Sequence, residues 1–287
     1  MKPSAFEYHA PDTLEDALSL MAELGSDAAP LAGGQSLTPL MNLRLARPAN
    51  LVDLNRIRAL DSIEVEGDTL RVGALVRHSD VERSDVVMET LPIASHVATF
   101  IGYPAIRHRG TVVGSIAHAD PAAEWPCLAL ALDAEITLKS SGRTRTVAGN
   151  DFFQTMLTTV REPSELITDI TFNSGFSAWG FYEFARRHGD FAVIAAAVAL
   201  RLADGVVTDA RVSLAGARDR PVRVPEAEQA VTGKELNHDV AAEVGEVTLE
   251  VVDPLEDIHG SSDYRRKLVG ASVERALSEA IHRSEAV

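Results

Sequence analysis

The sequence predicts an α+β protein of two or more domains, and three observations carry that reading. The chain has 287 residues, more than one ordinary domain needs. Its composition, 46% hydrophobic and 24% charged, is that of a folded globular protein. Helix-like and strand-like periodicities alternate as far as Ser174 and Gly175, after which long strands come first and helices follow. The expected domains are residues 1–175, in two lobes of about 1–55 and 56–175, and residues 176–287, an α+β unit of its own.

In the first lobe, Asp12 and Glu15 have the spacing of a helix cap and its reciprocal partner. Leu14, Ala17, Leu18, Met21 and Leu24 then recur at helical intervals, and Gly25 supplies a natural stop. Residues 28–32 read as a short buried strand that Gly33 and Gly34 break. Ser36 is placed to cap a short helix ending at residue 43, and residues 51–54 read as another strand. In the second lobe a hairpin is expected over residues 62–66 and 69–76, turning at Gly67 and Asp68. Helices follow within 78–88, 91–102 and 122–132, then a hairpin over 135–139 and 143–147 and a closing strand over 166–172. Beyond Ala178, antiparallel strands are expected at 179–186, 192–203 and 206–215, and helices at 226–232, 238–247 and 263–282.

Charge and cysteine content narrow the function. Basic residues number 27 against 42 acidic ones, a net charge of −15, and no basic run exceeds Arg265-Arg266-Lys267, so no nucleic-acid partner is expected. The longest apolar run, residues 191–200, is too short to span a bilayer. The first ten residues show neither a basic nor an apolar signal region, and the expected location is cytoplasmic. The single cysteine, Cys127, lies in the apolar run Pro126-Cys127-Leu128 and excludes an intrachain disulfide or a four-cysteine iron–sulfur site. It is expected as a buried structural thiol, and no metal site is expected in this chain.

Two constellations carry chemistry. In Leu31-Ala32-Gly33-Gly34-Gln35-Ser36, adjacent glycines after a strand permit positive φ and close backbone approach, so their amides can cradle a diphosphate. A tight turn with no ligand is the commoner use of a Gly-Gly pair, and the G-x-G-x-x-G dinucleotide fingerprint is absent. The second runs from Ile106 through Arg109-Gly110-Thr111-Val112-Val113-Gly114-Ser115 to Glu124. It is rich in small and hydroxylic residues and shows little periodicity, so its amides need partners that a phosphate or flavin edge would supply. His118 has no second histidine or cysteine at ligand spacing and reads as structural.

Both constellations resemble the flavin motifs of the FAD-binding medium subunits of molybdenum hydroxylases, the carbon monoxide dehydrogenase and xanthine dehydrogenase family. The resemblance extends to Asn42-Leu43-Arg44-Leu45-Ala46-Arg47-Pro48, Leu51-Val52-Asp53-Leu54, Phe181-Tyr182-Glu183-Phe184-Ala185-Arg186, Gly189-Asp190-Phe191-Ala192 and Asp257-Ile258-His259-Gly260-Ser261-Ser262-Asp263-Tyr264-Arg265. These segments run in order over nearly the whole chain. The resemblance implies a vanillyl-alcohol-oxidase (PCMH)-type FAD domain of two lobes plus a C-terminal α+β domain of the carbon monoxide dehydrogenase flavoprotein type. It implies FAD between the lobes, contacted by Ala32, Gly33, Gly34, Gln35 and Ser36 and by Thr111, Val112, Val113, Gly114 and Ser115. Glu124 matches an acidic position near the cofactor, Ile167 a hydrophobic one, and Phe191 a position where some relatives place a tyrosine against the isoalloxazine ring. Two departures stand out. Relatives usually read T-x-G-G where this chain has Thr111-Val112-Val113-Gly114, and valine resists positive φ, so the loop is expected to stand back from the phosphates. The lysine that many relatives carry near residues 182–184 is missing.

The resemblance implies an oxidoreductase subunit with no catalytic residue of its own. It would relay electrons from [2Fe–2S] clusters of a small iron–sulfur subunit, fed by a large molybdenum-cofactor subunit, through FAD to an external acceptor. The implied assembly is a dimer of heterotrimers. One cysteine agrees with that division of labour, because the clusters must be held by another chain, and it argues against the branch whose medium subunit carries a cluster-binding insertion. The alternatives are a self-contained FAD-dependent oxidase of the same fold superclass, which needs a substrate pocket with a general base, and a cofactor-free module filling the same slot.

Overall fold

The computed structural model describes residues 2–285; Met1 and residues 286–287, the outermost positions of the expected domains, lie outside the described residues. The chain is mixed α/β, as the sequence predicts. The first lobe runs β1 (Glu7–His9), α1 (Leu14–Leu24), β2 (Ala28–Leu31), α2 (Leu37–Asn42), β3 (Asn50–Asp53). Its strands form a parallel sheet in the order β1-β3-β2, so the carboxyl ends of all three lie along one edge. The cap of α1 lies one residue later than the Asp12–Glu15 spacing suggests. Thr13 is the N-cap and accepts from the Asp16 amide at 3.1 Å, while its hydroxyl donates to the Asp16 carboxylate at 2.7 Å. The three-residue strand β1 was not expected, being too short for its alternation to register.

The second lobe begins with the hairpin β4 (Ile63–Glu66) and β5 (Thr69–Gly73), followed by α3 (His78–Arg83), α4 (Asp85–Thr90), α5 (Pro92–Ala98), α6 (Pro104–Arg107), α7 (Val112–His118) and α8 (Glu124–Ala131). The single helix expected over 78–88 is two, because Ser84 leaves helical geometry at ψ 118° and caps α4 through the Val87 amide. The hairpin β6 (Glu135–Ser140) and β7 (Arg143–Ala148), the turn α9 (Gly149–Phe152), the small pair β8 (Phe153–Thr155) and β9 (Thr158–Thr159), and β10 (Leu166–Asn173) complete it. The five-stranded sheet has the order β4-β5-β10-β6-β7, all antiparallel. Its central strand, β10, closes late in sequence what β5 and β6 open.

The remainder is β11 (Ala178–Phe184), β12 (Ile194–Ala203), β13 (Val206–Ala215) and the short β14 (Val222–Arg223) in an antiparallel sheet, then α10 (Pro225–Val231), α11 (His238–Val251) and α12 (Ser262–Glu285). β12 is buried on both faces, and its two side-chain registers enter different cores. Ala195, Ala197 and Ala199 join the core built around Trp125, Phe172 and Phe181, while Ile194, Ala196, Val198 and Leu200 join the one capped by α11 and α12. Alanine suits a strand packed between layers, since a larger side chain would hold them apart. Gly180 shows the same closeness on β11: a Cβ there would overlap the Ala276 carbonyl of α12.

Candidate functional site

The loop that follows β2 meets the turn that precedes α7. A Cβ on Gly33 would overlap the Arg109 carbonyl and lie 2.7 Å from the Gly110 Cα, so only glycine allows this approach. Beside the junction opens a cavity of about 470 Å³, within the range of small-molecule sites. Ala32, Gly33, Gly34, Gln35 and Ser36 line it from the first loop, and Thr111, Val113, Gly114 and Ser115 from the second. Glu124 at the start of α8, Ile167 on β10 and Phe191 between β11 and β12 complete the set of expected positions. Phe191 is 63% exposed although it borders the cavity.

Val112 is a correction. It does not line the cavity; its side chain is fully buried in the core, and its amide donates to the Val76 carbonyl at 3.2 Å. The conformation of the stretch around Val113 is a second correction. The segment lacks visible periodicity but is helical from Val112 to His118, and residue 113 lies in its first turn, outside the positive-φ region. Its side chain is 3% exposed, packed in the core along the cavity wall, and the loop needs no glycine there. Thr111 is the N-cap, accepting from the Gly114 amide at 3.0 Å, and Ala119 ends the helix in the left-handed region. Most amides of this stretch are therefore satisfied by helix and cap, not by a ligand. The amide of Val113, second in the helix, has no intrahelical acceptor.

The first loop is organised by its carbonyls. The Asn55 side-chain amide donates to the Ala32 carbonyl at 2.9 Å, the Gln35 side-chain amide to the Gly33 carbonyl at 3.2 Å, and the Thr38 amide to the Gly34 carbonyl at 3.0 Å. Gly34 takes φ +73°, as a turn of this kind requires. Asn55 is itself fixed by Asp53, whose Oδ1 accepts from both its backbone and side-chain nitrogens. Burial pushes the Asp53 carboxyl up, but hydrogen bonds from Tyr8 and Asn55 outweigh it and hold the group below its usual range.

Electrostatically the cavity is uneven. Burial raises the Glu124 carboxyl to about 7, with Asp120 adding to the effect. Burial also raises Glu183, on β11, to about 8, helped by the charge of Glu124, and its Oε2 is buried without a hydrogen-bond partner. His78 lines the cavity, and burial brings it down to about 3, so it is neutral. His118 is lowered, again by burial. Arg161 lines the cavity and donates to the Glu162 and Glu165 carbonyls at 3.0 and 2.7 Å. Cys127 is buried, and burial pushes its thiol up to about 12. Among the described residues no cluster of histidine, cysteine, aspartate or glutamate has metal-binding geometry, and no helix is long and apolar enough to cross a membrane.

Sequence reasoning missed His78, Asn55 and Arg77. A signal existed for Asn55, which follows β3 at the carboxyl edge of a parallel sheet, where ligands of such sheets collect. His78 and Arg77 carry no such mark, since long-range packing alone brings them beside residues 109–111.

Residues 4–172 match the FAD binding domain in molybdopterin dehydrogenase, and residues 179–280 the CO dehydrogenase flavoprotein C-terminal domain. The chain is 40% identical to the 6-hydroxypseudooxynicotine dehydrogenase complex subunit alpha of Paenarthrobacter nicotinovorans, over 99% of this chain and 97% of that protein. It is 38% identical to the nicotine 6-hydroxylase medium subunit of the same organism, over 98% and 99% of the two chains. A chain of the carbon monoxide dehydrogenase of Hydrogenophaga pseudoflava, solved without the Mo-pyranopterin moiety of its molybdenum cofactor, superposes with a TM-score of 0.94 at 36% identity, covering 99% of both chains.

Proposed function

This chain belongs to the family of FAD-binding medium subunits of molybdenum hydroxylases, and from that premise we propose that it is the electron-transfer subunit of such an enzyme, with FAD held in the 470 Å³ cavity. It would accept electrons from [2Fe–2S] clusters of a small partner subunit, fed by a large molybdenum subunit, and hand them to an external acceptor in the cytoplasm. A dimer of heterotrimers is the assembly proposed, and residues 1–175 and 176–287 are the proposed domains.

The observation that carries the reading is the meeting of two backbone loops at a cavity that continues to Ile167 and Phe191. The residues present fit a flavin dinucleotide. The carbonyls of residues 32–34 are occupied by internal donors, which leaves amides as the free polar groups of the first loop and suits it to a diphosphate. Ile167 and Phe191 supply apolar surface for a ring. Bound FAD supplies a redox group that exchanges electrons singly or in pairs. The chain supplies orientation and shelter: Glu124 presents a carboxyl that burial keeps largely protonated below about pH 7, and neutral His78 adds no charge.

The test is spectroscopic. Purified protein should carry flavin absorption, and the substrate of the molybdenum subunit should bleach it only when both partner subunits are present. Bleaching by a substrate with the isolated chain would favour the self-contained oxidase, and protein that neither carries nor takes up flavin would overturn the reading.

A further inference from the structure

Arg77 joins the two loops that frame the cavity. Its Nη1 donates to the Arg109 carbonyl at 2.5 Å, and its Nη2 donates to the Asn55 Oδ1 at 2.5 Å. Asn55 passes the restraint on, donating from Nδ2 to the Ala32 carbonyl at 2.9 Å. One guanidinium therefore ties the second loop directly and the first through a single amide. The chain on either side of Arg77 runs along the second loop as a rail, for the Val112 amide donates to the Val76 carbonyl and the His78 amide to the Gly110 carbonyl. Arg77 is only partly exposed, and no carboxylate forms an ion pair with it among the described residues. Burial lowers its pKa, and the neighbouring Arg109 lowers it further. A cation placed this way lends positive potential to both loops in a chain of net charge −15.

The geometry also says what the clamp does to the backbone. A trans peptide holds its carbonyl and its N–H on opposite sides. With the Ala32 carbonyl drawn to Asn55, the Gly33 amide must face away from Asn55. An anion bound here would otherwise meet carbonyl oxygens, which repel it.

We infer that Arg77, acting through Asn55, is a positioning residue that pre-assembles the diphosphate cradle and so sets the preference of the site for a flavin dinucleotide over a mononucleotide. This rests on the proposal that the cavity binds FAD. Its consequence is kinetic as well as thermodynamic, since loops already in place need no ordering when the ligand arrives.

The experiment uses the full chain stripped of flavin, titrated with FAD and with FMN, in wild type, Arg77→Met, Arg77→Lys and Asn55→Ala. Arg77→Met and Asn55→Ala should each weaken FAD by about tenfold or more, equivalent to about 1.4 kcal/mol. FMN affinity should change less, so the FAD-to-FMN ratio falls, and FAD association should slow. Arg77→Lys, which keeps the charge but cannot fork to two acceptors, should fall between. A merely structural role would lower both affinities together and leave the ratio where it was, overturning the inference. So would FAD affinity within twofold of wild type in both Arg77→Met and Asn55→Ala. Wild-type protein that binds neither flavin would instead sink the FAD reading itself.

Discussion

Trp125 Nε1 donates to His78 Nδ1 at 2.9 Å, deep in the core beside the cavity, with the two rings stacked 6.1 Å apart. The indole nitrogen can only donate, so the neutral imidazole must carry its proton on Nε2. That nitrogen sits against Gly110, where an added Cβ would lie 2.7 Å away. Burial brings the His78 pKa from 6.5 down to about 3, so the unfolded chain takes up a proton that the folded one refuses. The associated stability is present above about pH 6.5 and is lost as pH falls toward 3. His78→Gln should therefore show a shallower loss of thermal stability than wild type between these limits. Identical acid profiles would show that His78 is not buried as a neutral group. Trp125→Phe should cost roughly 1–3 kcal/mol in urea unfolding, because it leaves a buried acceptor unpaired.

Glu124 and Glu183 act in the opposite sense. Their folded pKa values, about 7 and about 8, lie above the ordinary 4.5, so the folded protein holds protons that the unfolded chain releases. Their contribution is fully present below about pH 4.5 and disappears as pH rises through 7 and 8. Glu183→Gln keeps the shape without the ionisation. The flavin-free variant is expected to match wild type near pH 5 and to melt higher near pH 8.5. A variant that is less stable at both pH values would mean that Glu183 has a partner in solution.

Gly33 and Gly34 are adjacent but should respond differently to alanine. At Gly34 the obstacle is mainly φ +73°, with Thr38 Oγ1 at 3.0 Å from the new Cβ, and about 1–2 kcal/mol is the expected cost. At Gly33 the new methyl would strike the Arg109 carbonyl and the Gly110 Cα, rigid backbone that must move, so both folding stability and FAD binding should suffer more. Measuring melting temperature and flavin occupancy on the same samples ranks the two. Gly33→Ala with wild-type stability would show that the loops stand apart in solution.

Val113→Gly places glycine where the T-x-G-G pattern would have it. Because residue 113 is helical and packed in the core, the change removes buried side chain and adds backbone freedom. A loss of roughly 2–3 kcal/mol is expected from the lost apolar burial and helix propensity. FAD affinity should not improve. Tighter binding at unchanged stability, read by titrating FAD into flavin-free protein, would contradict the helical placement.

The sequence by itself determined the elements whose signal is local: the apolar spacing of α1, the turn glycines between hairpin strands, the long strands β12 and β13, and the two glycine- and hydroxyl-rich segments that frame the cavity. Of the positions that motif resemblance names, all but Val112 line the cavity, because those motifs are constrained one loop at a time, whereas Leu40, His78, Ile101 and Arg161 line it with no motif to announce them. The resemblance did not anticipate the conformation of residues 112–118, since a helix of small, hydroxylic and β-branched residues shows no amphipathic period. The tertiary structure alone decided that Gly33 meets Arg109 across 76 residues of chain, that β12 divides its two faces between separate cores, and that Trp125 sets the tautomer of His78. None of these has a period or a spacing. Each depends on which surfaces are pressed together when the apolar faces of distant segments leave water, and that is a property of the whole chain's packing rather than of any window within it.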